Sequence, residues 1–243
     1  MTKRIGLIIP SSNQLTEPEY HRYLPDGVIA HFARLRMTGA HKLPLPDLLP
    51  RIADAAMALA DAKCDVIAFH CTAIALDAGP AGEPEIVSAI SETSGIPATA
   101  TAAAIVSALR ALGAKRIGLV TPYDEANAEK ERRYFEAAAL DIVTSRHFDL
   151  ARRNLLASTP PEFWIDAART IAAEQMRPDA VVFSGANVRC MEAIGAFEEI
   201  LAVPAVTSNQ AVMWESLRIL GMSASDSRLG RLFGPQGFLH AGD

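Results

Sequence analysis

Short apolar runs recur along the chain, each bounded by glycine, proline or charged residues. They fall at residues 5–9, 28–35, 66–69 and 98–100, and again at 117–121, 142–148, 180–183 and 205–207. Runs of this length without polar alternation are the pattern of strands covered on both faces. Between them lie longer stretches with helical spacing of apolar residues, at 48–62, 84–94, 102–112, 127–139, 161–176, 190–201 and 210–220. Strands that alternate with helices predict parallel sheets flanked by helices, because a parallel pair needs a crossover long enough to hold a helix. Gly113 and Gly221 stand just past two of these helices, where a left-handed residue closes the last turn.

The chain also repeats itself. Arg4-Ile5-Gly6-Leu7-Ile8-Ile9-Pro10-Ser11 returns as Arg116-Ile117-Gly118-Leu119-Val120-Thr121-Pro122-Tyr123. The stretch from Asp65 to Cys71 is answered by Asp179 to Gly185, Ile96 to Ala100 by Val203 to Thr207, and Ser107 to Gly113 by Glu215 to Gly221. Four blocks in one order at nearly constant spacing predict an α/β fold of two pseudo-symmetric halves, each a parallel sheet flanked by helices. The N-terminal half is 1–114, with room for a swapped helix at its C-terminal end, and the C-terminal half is 115–243.

Composition narrows the class. A chain of 243 residues, half of them hydrophobic, can bury a core that needs no disulfide or metal. A net charge of −5 without a basic stripe argues against a nucleic-acid partner. The short basic clusters Lys130, Arg132 and Arg133, and Arg152 and Arg153, read as solvated surface. Three cysteines without a spacing pattern argue against a disulfide framework or a zinc site. The N-terminal apolar run is too short for a signal peptide, and no stretch approaches a membrane span, so a cytoplasmic protein with reduced thiols is expected. Trp164 and Trp214, with Phe163, are expected in the core rather than at an interface, although a homo-oligomer is the expected state.

In open parallel sheets, ligands bind beyond the carboxyl ends of the strands. Four such ends carry polar groups: Pro10-Ser11-Ser12-Asn13, His70-Cys71-Thr72, Pro122-Tyr123 and Ser184-Gly185-Ala186-Asn187. No P-loop and no GxGxxG fingerprint is present, so no nucleotide and no other cofactor is expected. Cys71 is the sharpest candidate. A thiol at a helix N-terminus is expected to have a lowered pKa, against the plainer alternative of an inert buried cysteine. Cys64 precedes its strand and Cys190 falls inside a predicted helix, so both read as structural. His70 adjoins Cys71, but strand alternation sends the two side chains to opposite faces.

Pro10-Ser11-Ser12-Asn13, the Cys71 strand end, Gly79-Pro80-Ala81-Gly82-Glu83 and Val120-Thr121-Pro122-Tyr123 together resemble the maleate cis–trans isomerases. These belong to the aspartate/glutamate racemase superfamily, with arylmalonate decarboxylases, hydantoin racemases and ectoine-utilisation proteins. The resemblance runs over essentially the whole chain. It implies a cofactor-independent site between the halves that takes a small carboxylate or dicarboxylate. It assigns the nucleophile or acid/base to Cys71, the asparagine role to Asn13, carboxylate binding to Thr72 and the phenol to Tyr123. Ser12, Gly185, Ala186 and Asn187 complete the expected substrate-binding set, and no metal is implied.

One position departs from that pattern. The superfamily pairs two cysteines across the site, yet the repeat partner of Cys71 is Gly185. A two-base racemase is therefore disfavoured, and Gly185 is expected to leave room for a bulkier substituent. Three readings follow: a maleate isomerase-like enzyme, an arylmalonate decarboxylase-like lyase with one-sided protonation by Cys71, or a non-catalytic carboxylate-binding protein of the ectoine-utilisation type. Pocket specificity is expected from the loops 39–46 and 150–161.

Overall fold

Eight strands build two four-stranded parallel sheets in the computed structural model, which describes residues 2–238 apart from 78 and 152. The strands are β1 (Lys3–Pro10), β2 (Val28–Leu35), β3 (Val66–Phe69), β4 (Ala98–Ala100), β5 (Arg116–Thr121), β6 (Asp141–His147), β7 (Ala180–Phe183) and β8 (Ala205–Thr207). The first sheet runs β2-β1-β3-β4 and the second β6-β5-β7-β8. The two orders are the same, as the sequence repeat requires. Equivalent strands also pair alike: Ile5 lies opposite Val66, and Ile117 opposite Ala180.

Nine α-helices cover the sheets within the described residues: α1 (Thr16–Tyr23), α2 (Leu45–Asp61), α3 (Thr72–Asp77), α4 (Gly79–Ser94), α5 (Thr101–Ala111), α6 (Glu125–Ala137), α7 (Pro161–Ala172), α8 (Ile194–Leu201) and α9 (Ser208–Ile219). Of these, α1 was not foreseen, and α3 was expected only as the helix start that follows Cys71. A 3-10 turn at Met191–Ala193 precedes α8, so Cys190 sits ahead of the helix rather than inside it. Gly113 and Gly221 take φ of 70° and 66°, the left-handed backbone expected of residues that close a helix. The basic side chains of α6 behave as solvated surface, with Arg132 and Arg133 paired to Glu129. Arg152 and the last residues of the tail, 239–243, lie outside the described residues.

Three apolar clusters hold the layers together. One lies between the sheets and draws on both, with Ile5, Leu7, Ile117 and Val182 packed around α5 and α9. Both helices pack on strands of both sheets: α9 lies against β3, β4 and β8, and α5 against β4 and β8. The other two clusters cover the outer faces, one with Leu48, Ile52 and Ile86 from α2 and α4, the other with Trp164, Ile171 and Phe197 from α7 and α8. Trp164 and Trp214 are both fully buried, as core residues should be. Cys64 is buried against Gly6, whose added Cβ would meet its sulfur at 3.1 Å.

Candidate functional site

In each sheet the chain reverses its winding between the first strand and its inner neighbour. The switch points fall at β1/β3 and β5/β7, and the ligand crevice of an open sheet opens at that place. A cavity of about 690 Å³ joins the two crevices. All eight residues singled out in the sequence line it: Ser12, Asn13, Cys71, Thr72, Tyr123, Gly185, Ala186 and Asn187. The two loops expected to set specificity also reach it, through Gly39 and Lys42 on one side and Asn154, Leu156 and Ser158 on the other.

Cys71 ends β3 and leads into α3, with the backbone N–H groups of Ile74 and Ala73 directed at its sulfur. Those donors lower its pKa, as a helix N-terminus should. Burial has the larger effect and pushes the thiol up to about 11. The expected lowering is therefore overturned: Cys71 rests as a neutral thiol. Relative to an ordinary thiol pKa of 9, that leaves roughly a hundredfold less thiolate at neutral pH. Iodoacetamide should accordingly modify Cys71 of the folded protein at pH 7 far more slowly than a thiol in an unfolded peptide. Labelling rates measured by mass spectrometry check this; equal rates would contradict it.

Thr72 is buried in the same wall, and its hydroxyl has no hydrogen-bond partner. The Tyr123 phenol lies beside it across the junction of the halves, and burial, with Glu131 and Cys71 nearby, raises its pKa well above the usual value. Two neutral hydroxyls next to a thiol suit a carboxylate oxygen, because they donate to an anion without opposing it.

Asn13, Ala186 and Asn187 form the floor and also fasten the halves together. The amide of Asn13 donates to the carbonyl of Ala186 at 3.0 Å, while its oxygen accepts from the N–H groups of Leu15 and Thr16. Asn187 Oδ1 accepts from the N–H of Gln14 at 2.8 Å. The N–H of Gly185 is taken by Ser208 Oγ at 2.9 Å. A side chain has little room at Gly185, although the glycine itself lines the cavity. Its φ is 109°, and an added Cβ would meet Pro122 Cγ at 3.1 Å and Val188 Cγ1 at 3.4 Å.

His70 points away from Cys71, into the seam between the halves. It is fully buried and neutral, its pKa lowered by burial to about 4. Nε2 donates to Asn209 Oδ1 at 2.6 Å, and Nδ1 faces Thr101 Oγ at 2.9 Å. The Asn209 amide in turn donates to Glu19, a carboxyl pushed up to about 8 by burial. This chain of groups lies behind the site rather than in it.

Two sets of residues were missed in the sequence. At the rim, Lys42 and Lys130 both bind Asp77; burial opposes ionisation of Asp77, but these contacts hold its pKa below the usual value. Behind the second wall, Glu131 of α6 is fully buried, with Ser184 donating to its Oε1. Neither carries a local motif. Cys190 is buried, with its pKa raised well above the ordinary value by burial, and it does not line the cavity. Among the described residues, no group of three or more His, Cys, Asp or Glu side chains could hold a metal, and no helix is long and apolar enough to cross a membrane.

The chain matches the arylmalonate decarboxylase family over residues 5–233. It is 30% identical to the maleate isomerase of Nocardia farcinica over 95% of both chains. It is 25% identical to the arylmalonate decarboxylase of Bordetella bronchiseptica, over 96% of this chain and 97% of that one. A solved structure of the Nocardia farcinica maleate cis–trans isomerase superposes with a TM-score of 0.85 at 27% identity, covering 96% of this chain and 98% of the other. That structure is of a cysteine-to-serine variant with a covalently bound succinylcysteine intermediate.

Proposed function

The chain belongs to the arylmalonate decarboxylase family, and from that premise we propose that it is a cofactor-independent enzyme that transforms a small carboxylate at Cys71. The observation that carries the reading is the placement of this one cavity-lining thiol opposite Tyr123 and the Gly185–Asn187 turn, beside the unpartnered hydroxyl of Thr72. The first assignment is cis–trans isomerisation of a maleate-like dicarboxylate. Cys71 passes its proton to water, from which it is later recovered, and its sulfur pair forms a C–S bond at one alkene carbon. The π pair moves to the other carbon and onto its carboxylate as an enediolate. The remaining C–C single bond rotates, the double bond re-forms, and sulfur leaves as a thiolate that regains its proton. The donors at Thr72 and Tyr123 face the charge that builds on the carboxylate, which is where fixed dipoles lower a barrier most.

A second reading has its own support. A thiol that rests protonated opposite a glycine is poised to donate rather than to attack. In decarboxylation of a substituted malonate, the C–C bond to one carboxylate breaks, CO2 leaves, and the electron pair stays as an enediolate. The Cys71 S–H then protonates that carbon from one face, and the thiolate takes a proton from water.

Incubation with maleate and with substituted malonates, followed by NMR, separates the two. Fumarate without CO2 supports the isomerase, and CO2 with a monoacid supports the lyase. A rise in melting temperature with dicarboxylates but no turnover would defeat both in favour of a carboxylate-binding protein. We also infer two units, 1–114 and 115–243, a homo-oligomeric state, and a cytoplasmic location in which the three unpaired cysteines stay reduced.

A further inference from the structure

Glu131 is a buried acidic group behind the wall that lacks the second thiol. It belongs to α6, a helix crowded with charge, yet it is fully buried. The Ser184 hydroxyl donates to Oε1 and the Thr121 hydroxyl lies beside the carboxyl; both favour its charged form, but burial outweighs them. Ser184 is the residue before Gly185, and Glu131 is the titratable neighbour that acts most on Tyr123, which lines the cavity.

Among the described residues, Lys42, Lys130 and Arg146 on the surrounding elements are bound to other carboxylates. On α3, Asp77 is bound by Lys42 and Lys130. On α4, Glu83 accepts from the N–H groups of Ala102 and Ala103 and from the Tyr134 hydroxyl. On β6, Arg146 is bound to Glu174, and His147 lies at the strand's end. Cys71 and Tyr123 complete the set, and both are neutral at rest. An ionised carboxylate would stand fully buried with only two hydroxyls to stabilise it, a costly state.

We propose that Glu131 is a positioning residue for this site: held as a neutral acid behind Tyr123 and Ser184, it keeps the C-terminal wall of the cavity free of negative charge, so that this wall can receive the substrate's carboxylate. The proposal rests on the carboxylate-site reading above. It follows that ionisation of Glu131 expels the ligand. Burial raises its pKa to about 7, which places that event near neutrality.

The test uses malonate as the probe. Affinity of the wild-type protein, measured by calorimetry, should fall about tenfold for each pH unit above neutrality. In Glu131→Gln, which keeps the shape but cannot ionise, the affinity should stay flat over the same range. A merely structural role would not move that profile, and a Gln variant that declines in parallel with the wild type overturns the proposal. If the Gln variant fails to fold, a carbon-13 titration of the Glu131 carboxyl in the wild-type protein decides: a midpoint near neutrality that rises with malonate supports it, and an ordinary carboxylate midpoint overturns it. Failure of malonate to bind at any pH would defeat the carboxylate-site reading. The midpoint in the free protein would then still decide whether Glu131 is a neutral acid.

Discussion

Cys71→Ala should lower kcat by about a hundredfold or more on whichever carboxylate proves to be the substrate, while that carboxylate still raises the melting temperature. The two halves of this expectation rest on different parts of the site. Turnover in either reading passes a proton or a covalent bond through the sulfur, and no other cysteine is placed to take over. Cys64 is packed against Gly6 at the far end of β3, and Cys190 is sealed in the outer core beneath α7 and α8. Binding, in the proposed reading, rests on Thr72, Tyr123 and the floor formed by Asn13, Ala186 and Asn187, whose hydrogen bonds between the halves do not involve the thiol. A small buried side chain replaced by alanine costs on the order of 1 kcal/mol, so the variant should stay folded. Turnover by NMR and melting with and without ligand are measured on the same sample. Retained turnover would remove Cys71 from the chemistry altogether. Loss of both turnover and ligand stabilisation would instead show that the thiol shapes the binding surface.

The halves and their strands were legible because a strand buried on both faces has to be apolar throughout. The limits of β2, β3, β4, β7 and β8 coincide with the apolar runs. The helix α1 was not legible, because TEPEYHRY has no apolar stripe; only Thr16, Tyr20 and Tyr23 are buried, and tertiary contacts hold the first two, Thr16 with Ala186 of the second half and Tyr20 with Phe32 of β2. The same limit applies to Glu131, one of several charged residues in EANAEKERRYFEA. The single local hint is that it stands one turn before the buried Phe135, on the same helix face. The strand ends did place all eight site residues around one cavity, since that follows from topology. The ionisation of Cys71 did not follow, because the sequence shows the helix N-terminus that lowers a thiol pKa but not the burial that raises it. Gly185 reads as an empty position in the sequence, and the structure shows its Cβ direction to be occupied.

Gly185→Cys should therefore not restore a two-thiol site, even though the repeat aligns position 185 with Cys71. At φ of 109° the backbone lies outside the region that residues with a side chain adopt readily. The new Cβ would also press on Pro122 Cγ, 3.1 Å away, in a segment whose carbonyls anchor the turn from Phe148 to Ala151. Holding such a residue there costs about 1–3 kcal/mol, equivalent to a drop in melting temperature of about 2–12 °C for a chain of this size. If the turn relaxes to relieve the strain, the N–H of Gly185 leaves Ser208 and the carbonyl of Ala186 moves away from Asn13, which loosens the floor of the cavity. Either way the second thiol should not face the substrate opposite Cys71. The α-hydrogen of a monoacid product should then fail to exchange with deuterium in D2O, because exchange with racemisation needs a base on each face. A Gly185→Cys protein that melts with the wild type and catalyses that exchange would show that the backbone here is not what confines the chemistry to one side. A destabilised, non-exchanging variant would tie the single-faced site to the backbone turn itself, beyond the mere absence of a sulfur atom.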